Sequence, residues 1–378
     1  MASSLSHRLD EIIQQSLDNQ RLVGCVLLVA HNGQLIYQKA AGWKDREKRQ
    51  AMAVDSVFRL SSVTKPLVTV AAFRLVEEGR ISLDTPVTRW LPYFKPQFAD
   101  APETPVITLH HLLTHQSGLN YGFSLPEDSI YHHLGISDGL DFCPALTLEE
   151  NMRRLAKAPL FYYPTEGWAY SLGMDVVGAM LEKLCQRPLP EIIADYVTHP
   201  LGLHSCRFWA EADDLVVPYY NTKSEPQRMG DKETYGGIIF SPRRATEKQA
   251  YPSGGAGMVG NAKDLLHFFE ILRTGKEGFL SQETINRMFT NHIDPKISTD
   301  KAGFGFGYGG SLVVDPDKVG SGQSEGTMQW GGVYGHRWFI DRKRAITVVS
   351  LTNTSFEGMN GAFTEDFTKA IYENIAAE

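Results

Sequence analysis

The sequence predicts an α+β fold, an α/β sandwich with one antiparallel sheet, helices from both chain ends against it, and an inserted, mostly helical region. Segments near opposite ends of the chain each have the pattern of a β-hairpin beside an amphipathic helix, whereas the middle has helix-like spacing broken by proline and glycine. The 378 residues, 42% of them hydrophobic, suffice for a large core. We predict that residues 1–80 and 236–378 form a discontinuous α/β region, that residues 81–235 form a mainly helical region, and that the functional site lies at their junction.

The terminal elements follow from local patterns. An opening helix is predicted by apolar residues at helical spacing: Leu5, Leu9, Ile12, Ile13 and Leu17. A hairpin follows, in which the strand Cys25–Ala30 hardly alternates and should be covered on both faces. Asn32 and Gly33 suit its turn because they tolerate a positive φ. Residues 337–341 and 345–353 predict a second hairpin, and a closing helix is predicted by apolar residues four apart: Phe363, Phe367, Ile371 and Ile375.

Composition excludes several classes of partner. The net charge is −7 and the chain has no basic block, which argues against nucleic acid and anionic membranes. The N-terminus has no apolar core of a signal peptide, and no window reaches the roughly 18 apolar residues of a membrane helix. We therefore expect a cytoplasmic protein with a small-molecule substrate, or a periplasmic one if a leader has been removed. The oligomeric state is left open.

The chain has four cysteines, Cys25, Cys143, Cys185 and Cys206. They form no Cys-x-x-Cys pair, which suits a reducing compartment and disfavours a zinc site made of cysteines.

A serine and a lysine lie one helical turn apart in the otherwise apolar segment 58–70. The helix predicted from Val63 places Pro66 in its first turn and ends with Gly79 as C-cap. Ser62 then lies at the helix start, where free N–H groups favour an oxyanion. Lys65 lies on the same side, and apolar surroundings lower the pKa of a lysine so that it can act as a base. Serine and lysine together are a workable nucleophile pair.

The Ser-x-x-Lys pattern alone is weak. Ser62 acting as a helix cap and Lys65 reaching solvent would explain the same residues. The pattern arises by chance about once or twice in a chain of this length, and it recurs at Ser298 and Lys301 in a loop.

A serine nucleophile also needs a proton shuttle and an oxyanion site. Tyr170 precedes a helix predicted to begin near Gly173, so its phenol can point into a cleft, although a packed core tyrosine is the commoner outcome. The run Trp330-Gly331-Gly332 precedes a predicted strand. Two glycines there let a substrate approach the backbone and leave the Val333 N–H as a donor; the alternative is a β-bulge.

The ordered set of motifs resembles the class C β-lactamases and penicillin-binding proteins, and more closely the family VIII carboxylesterases on the same fold. Supporting segments cover most of the chain: "FRLSSVTK", "LVEEGRISLDTPVTRWLP", "ITLHHLLTHQSGL", "PSGGAGMVGNAKDLLHF" and "WGGVYGHRWFID". The resemblance implies a β-lactamase/transpeptidase-like fold, with Ser62 as the acylated nucleophile and Lys65 and Tyr170 as its proton-transfer partners. It also implies an oxyanion hole made by the backbone N–H groups of Ser62 and Val333, and it implies no cofactor and no metal.

Two departures from the lactamase pattern predict the substrate. The tyrosine motif ends in Leu172 where the lactamases have asparagine, and Trp330-Gly331-Gly332 stands in place of their Lys-Thr-Gly. A pocket without that lysine leaves a buried carboxylate uncompensated, so a neutral ester with a modest acyl chain is predicted. We expect the substrate pocket to include Leu172, Trp330, Gly331 and Gly332, with His336 at its border.

Other motifs are weighed and set aside. Ser324 lies in a Gly-x-Ser-x-Gly pattern without the strand and helix that a nucleophile elbow requires, so we predict a loop residue. His111 and His115 are four apart but lack the glutamate of a zinc motif. The glycine cluster 254–260 lacks the ending of a phosphate loop and should lead into a helix capped by Asn261. Tyr219-Tyr220-Asn221 precedes a polar loop and is discounted as the tyrosine motif.

We therefore predict a serine hydrolase that cleaves short-chain carboxylic esters through an acyl-enzyme on Ser62. The alternatives keep the fold: a β-lactamase, a D-aminopeptidase or DD-peptidase-like amide hydrolase, or an acyltransferase. A non-catalytic binding protein that retains the fold is a further alternative from a different class.

Overall fold

An eight-stranded antiparallel sheet forms the centre of the computed structural model, which describes residues 2–275 and 278–375. Its strands in chain order are β1 Gly24–His31, β2 Gln34–Asp45, β3 Gln50–Ala51, β4 Phe304–Phe306, β5 Ser311–Val313, β6 Met328–Gly332, β7 His336–Asp341 and β8 Ile346–Thr352. Their order across the sheet is β4-β5-β6-β7-β8-β1-β2-β3. β1 and β8, from opposite ends of the chain, are therefore neighbours, paired from Cys25–Thr352 to His31–Ile346. The predicted α+β class is confirmed.

Helices cover both faces of this sheet. The α-helices of five residues or more are α1 Ala2–Asp18, α2 Thr64–Glu77, α3 Leu109–Leu113, α4 Leu148–Leu155, α5 Gly173–Cys185, α6 Leu189–Ile193, α7 Ala262–Thr274, α8 Gln282–Met288 and α9 Ala362–Asn374. α1 and α9 share one apolar cluster with the sheet, and α2, α5 and α7 belong to a larger cluster on the other face. Cys25, Leu27 and Val29 of β1 pack into the first cluster, and the alternate residues of β1 pack into the second. The prediction that this strand is covered on both faces is confirmed.

The terminal elements match their predictions closely. The first hairpin turns at Asn32 and Gly33, with φ of 51° and 77°. The second joins β7 to β8, and the closing helix ends one residue before Ile375.

The middle of the chain holds α3 to α6 together with short strands. One of these, Tyr219–Tyr220, pairs in parallel with Thr354–Ser355 from the C-terminal part. The division of the chain at residues 80/81 and 235/236 stays a prediction. Within residues 2–275 and 278–375, no helix combines the length and apolar character needed to cross a bilayer.

Candidate active site

Ser62 lies in a single turn of 3₁₀-helix, Ser61–Val63, that leads directly into α2. Ser61 has a φ of 44°, a left-handed conformation that a non-glycine residue rarely adopts. Such strain persists only where the surroundings impose it, and it is concentrated at functional sites. Because this turn leads directly into α2, Ser62 lies at the start of that helix, as the sequence predicts.

Main-chain contacts from a distant segment hold this turn. The Leu60 N–H donates to the Met258 carbonyl at 2.9 Å, and the Met258 N–H donates to Thr64 Oγ1 at 3.1 Å. Met258 thus bonds to the chain on both sides of the turn. This pairing continues as the two-residue ladder of Phe58–Arg59 with Val259–Gly260.

Lys65 is buried beside Ser62, with only 3% of its surface exposed. Its Nζ lies 3.2 Å from Ser62 Oγ and donates to the Gly255 carbonyl at 2.8 Å. The same nitrogen lies 4.5 Å from the centre of the Tyr170 ring and 5.2 Å from that of Tyr121. Amine, hydroxyl and two aromatic faces therefore meet in one water-poor site.

Tyr170 completes the group around Ser62. Its Oη lies 2.6 Å from Ser62 Oγ and accepts a hydrogen bond from Trp330 Nε1 at 3.2 Å. The rings of His115, Tyr121 and Trp330 each lie 4.9 Å from the tyrosine ring and fix its position. Burial, reinforced by the charge of Lys65, holds the pKa of His115 well below its usual range, so this imidazole is neutral.

Asp175 supports Lys65 indirectly and was not predicted from the sequence. This buried carboxylate on α5 accepts hydrogen bonds at Oδ1 from Ser253 Oγ and the Gly255 N–H, both at 2.7 Å. Gly255 in turn accepts from Lys65, so a chain of contacts runs from the carboxylate to the amine. Burial raises the pKa of Asp175, while these hydrogen bonds and the nearby Lys65 oppose the shift. The available signal was a lone charged residue in the apolar run 173–181.

A cavity of about 310 Å³ opens in front of Ser62. Its walls are largely aromatic and apolar, with Phe123, Trp168, Tyr170, Ile238, Phe304, Phe306, Trp330, Val333, Phe356 and Met359. Polar side chains also reach it: Ser62, Thr299, Asp300, Lys301, Ser311, Gln329, Arg337 and Asn360. Strand β5 pairs with β6 only at Ser311–Gln329 and Leu312–Met328. Among residues 2–275 and 278–375, Trp330 and Gly331 of β6 therefore have no strand partner on the side of β5.

The end of β6 lies against the turn that carries Ser62. A side chain at Gly332 would meet Ser61 Oγ at 2.6 Å and the Leu60 carbonyl at 2.7 Å, so only glycine permits this approach. Val333 follows directly and lines the same cavity as Ser62. Its carbonyl accepts from Ser355 Oγ at 2.5 Å, which fixes the turn after β6.

Two residues expected in the substrate pocket lie in the core instead. Leu172 is fully buried at the start of α5, because its side chain packs into the large apolar cluster. His336 is buried on the face of β7 toward Phe58, and its Nε2 lies 2.7 Å from the Arg59 carbonyl. Burial lowers the pKa of His336 to about 4. Neither side chain lines the cavity, and Gly332, also expected there, is not among its lining residues; Trp330 and Gly331 do line it.

Two of the motifs set aside from the sequence contribute to the site, because His115 packs on Tyr170 and Gly255 of the glycine cluster 254–260 accepts from Lys65. Ser324 is a loop residue, as predicted, and its N–H donates to Asp341 Oδ2. His111 caps its own helix through Thr108, while His115 lies beyond the end of that helix and accepts from the Ser171 N–H. Asn261 caps α7, as predicted.

Comparison with known proteins gives one consistent result. A family model described as Beta-lactamase matches residues 9–372. Esterase EstB of Burkholderia gladioli is 45% identical over 379 residues, covering 98% of this chain and 96% of EstB. The solved structure of EstCE1, described as a hydrolase with promiscuous acyltransferase activity, superposes with a TM-score of 0.95 at 44% identity, covering 98% of this chain and 99% of EstCE1. The octameric penicillin-binding protein homologue of Pyrococcus abyssi shares the fold, with a TM-score of 0.75 at 22% identity over 98% of this chain and 78% of that one.

Proposed function

Because the chain belongs to the β-lactamase family, we propose that it is a serine esterase that cleaves short-chain carboxylic esters through an acyl-enzyme on Ser62. One observation carries the proposal: Ser62 Oγ lies within hydrogen-bonding distance of both Lys65 Nζ and Tyr170 Oη. A nucleophile with two proton-transfer groups in contact is what acyl transfer requires. The similarity to EstB, an esterase, supports the same activity.

In the first half-reaction the Ser62 oxygen attacks the ester carbonyl. Lys65 in its neutral amine form, together with Tyr170, accepts the serine proton as the new C–O bond forms. The carbonyl oxygen becomes an oxyanion, and the backbone N–H groups of Ser62 and Val333 are the proposed donors to it. The tetrahedral intermediate then collapses, and Tyr170 or Lys65 returns the proton to the departing alcohol.

In the second half-reaction water takes the place of the alcohol. The same pair removes a proton from water as it attacks the acyl-enzyme, and Ser62 leaves with that proton. Lys65 is buried and Tyr170 packs against aromatic rings, so both proton-transfer groups lie in surroundings of low polarity, which strengthens each electrostatic interaction.

The cavity explains why esters are proposed ahead of β-lactams. Trp330 stands where the lactamases carry the lysine of Lys-Thr-Gly, and its indole bonds to Tyr170. The lysine that faces the substrate carboxylate in that family is thus replaced by an indole ring. Comparable efficiency on nitrocefin and on p-nitrophenyl butyrate would favour the β-lactamase alternative.

Substitution of the nucleophile tests the proposal. Ser62→Ala should lower the turnover of p-nitrophenyl butyrate at least about a thousandfold, because no covalent intermediate can form. Ser324→Ala is the matched control, since this loop serine lies in the Gly-x-Ser-x-Gly pattern, and it should keep the wild-type rate. Full activity of Ser62→Ala, or an inactive Ser324→Ala enzyme, would refute the assignment.

Acyl transfer to an alcohol is a second candidate function. EstCE1, 44% identical, is described as having promiscuous acyltransferase activity, and the largely apolar walls of the cavity suit an alcohol as acceptor. Product analysis with vinyl butyrate and competing alcohols measures the ratio of transfer to hydrolysis. A cytoplasmic location also stays a prediction, which cell fractionation would test.

A further inference from the structure

A guanidinium group enters the same cavity as Ser62. Arg337 on β7 pairs in register with Gly331 on β6, and both residues line the cavity. The Nη2 group of Arg337 donates to Gln329 Oε1. Among residues 2–275 and 278–375, no carboxylate lies within 4.0 Å of this guanidinium. Its remaining N–H groups therefore have no anionic partner.

The charge of Arg337 persists at neutral pH. Burial lowers the pKa of Arg337 to about 10, which still leaves it protonated at pH 7. Lys301 lies on the same wall, and burial lowers its pKa, with the charge of Arg337 as a further cause. Asp300 and Glu365 offset part of the charge of Lys301, yet neither forms an ion pair with Lys301 or Arg337 among the described residues.

Arg337 and Lys301 also line a second cavity. This cavity of about 630 Å³ shares part of its lining with the first: Lys301, Phe304, Gln329, Arg337, Met359 and Asn360. Arg337 therefore borders both the space in front of Ser62 and a larger groove. A substrate held at Ser62 has room to extend toward the guanidinium.

We propose that the preferred substrate is an ester that also carries a carboxylate, and that Arg337 binds this carboxylate while Ser62 attacks the ester carbonyl. The inference rests on the proposed function and names a substrate class for it. Guanidinium binds carboxylate through paired, charge-assisted hydrogen bonds, which are strongest in a water-poor cavity. The sequence alone predicts a neutral ester, because the lysine of Lys-Thr-Gly is missing. The structure brings a different cation into the pocket from the neighbouring strand.

Two pairs of esters test the proposal and locate the carboxylate. Monoethyl adipate and its terminal amide differ only in the charge on the acyl side, and 4-butanoyloxybenzoate and 4-butanoyloxybenzamide differ in the charge on the alcohol side. In at least one pair, kcat/KM of the wild-type enzyme should favour the acid about ten- to a hundredfold. Arg337→Gln should remove this preference, and Arg337→Lys should restore part of it.

Arg342→Gln provides the matched control. Arg342 follows β7 on the same hairpin, bonds to Asn286, and lines neither cavity. Its substitution should leave both ratios unchanged. Equal rates for acid and amide in both pairs, or a preference that survives Arg337→Gln, would overturn the proposal.

A binding experiment separates this inference from the esterase proposal. The Ser62→Ala protein, which should not turn over ester, is titrated with monoethyl adipate and with 4-butanoyloxybenzoate in a calorimeter. Binding of either that is lost in the Ser62→Ala, Arg337→Gln protein supports the carboxylate site even if p-nitrophenyl butyrate is never cleaved. Turnover of p-nitrophenyl butyrate without any acid preference overturns the carboxylate site and leaves the esterase proposal intact.

Discussion

Gly255 positions Lys65 through its main chain. Its carbonyl accepts from the amine and its N–H donates to Asp175, so one residue links the carboxylate to the lysine. A β-carbon here would lie 2.9 Å from Tyr121 Oη, 3.2 Å from Asp175 Oδ1 and 3.4 Å from Lys65 Nζ. The close packing of these polar atoms therefore depends on the absence of a side chain.

We expect Gly255→Ala to lower kcat for p-nitrophenyl butyrate about tenfold or more, because even a small shift of a positioned catalytic group is costly. Tyr121 Oη is the closest atom and must shift, and the ring of Tyr121 lies only 5.2 Å from Lys65 Nζ, so the disturbance reaches the amine. Steady-state kinetics and the thermal midpoint are measured together, and the midpoint should fall by only a few degrees.

Gly230→Ala is the control for this substitution. A β-carbon at Gly230 meets only Glu233 Oε2, at 3.8 Å. Its kinetics should match wild type. If Gly255→Ala also keeps the wild-type kcat, the main-chain link to Lys65 does not matter for turnover.

The sequence predicts some of the residues around Ser62 and misses others, for a physical reason. Ser62 and Lys65 lie one turn apart on a helix, so local spacing is enough to place them together. Asp175 and Gly255 reach Lys65 only through tertiary packing, from 110 and 190 residues away along the chain. Leu172 is the last residue of the tyrosine motif, yet the local turn directs it into the core, which no spacing rule indicates.

At the scale of elements, one carboxylate fixes a turn that shapes the cavity. Asp138 accepts hydrogen bonds from the Gly122 and Phe123 N–H groups at 2.7 and 2.9 Å. Phe123 lines the cavity and stacks on Tyr121 with ring centres 4.6 Å apart. Burial raises the pKa of Asp138 from its ordinary value of 3.8 to about 7, although these hydrogen bonds oppose the shift.

The raised pKa of Asp138 predicts that the stability of the protein depends on pH. Between about pH 4 and pH 7 folded Asp138 holds a proton that the unfolded chain has released, so its contribution to stability is present at low pH and lost as pH rises. Asp138→Asn cannot titrate. The free energy of unfolding of wild type minus that of Asp138→Asn should therefore fall from pH 5 to pH 7.5 and level off above about pH 8.

Urea unfolding at a series of pH values measures this difference. Other groups titrate in both proteins, so they cancel in the subtraction. A difference that stays constant across the range would mean that Asp138 is ionised in the folded protein throughout.

Element prediction succeeds where the signal is local. Asn32 and Gly33 specify the first hairpin because few residue types adopt their φ values. The short strand pair of Phe58–Arg59 with Val259–Gly260 has no such signal, since its partners are about 200 residues apart and each strand is two residues long. Met258, whose main chain holds the Ser62 turn, is missed for the same reason.

At the scale of the whole molecule, the two chain ends jointly cover one face of the sheet. α1 and α9 pack on each other, and Ser4 Oγ donates to Asn374 Oδ1 at 3.0 Å. This cluster lies on the face opposite α2, which follows Ser62 directly. Substitutions in the apolar cluster of α1 and α9 should therefore change the stability of the protein without changing its catalytic rate.

Leu9→Ala tests this separation. Leu9 is fully buried in α1, and its truncation should lower the free energy of unfolding by about 2–5 kcal/mol. Turnover of p-nitrophenyl butyrate at 25 °C should stay within twofold of wild type. Gln15→Ala, on the exposed side of the same helix, should change neither quantity. A large loss of kcat in a Leu9→Ala protein that is still folded would show that the two faces are coupled.

The pairing of β1 with β8 also bears on biosynthesis. Val29 pairs with Val348, 319 residues later. At translation rates of about 5–20 residues per second, β8 is therefore synthesised roughly 15 to 60 s after β1. During that time an eight-residue apolar strand, paired only with β2, remains on the ribosome with one edge open. The nascent chain therefore has to be shielded from association with its neighbours until the last hairpin emerges.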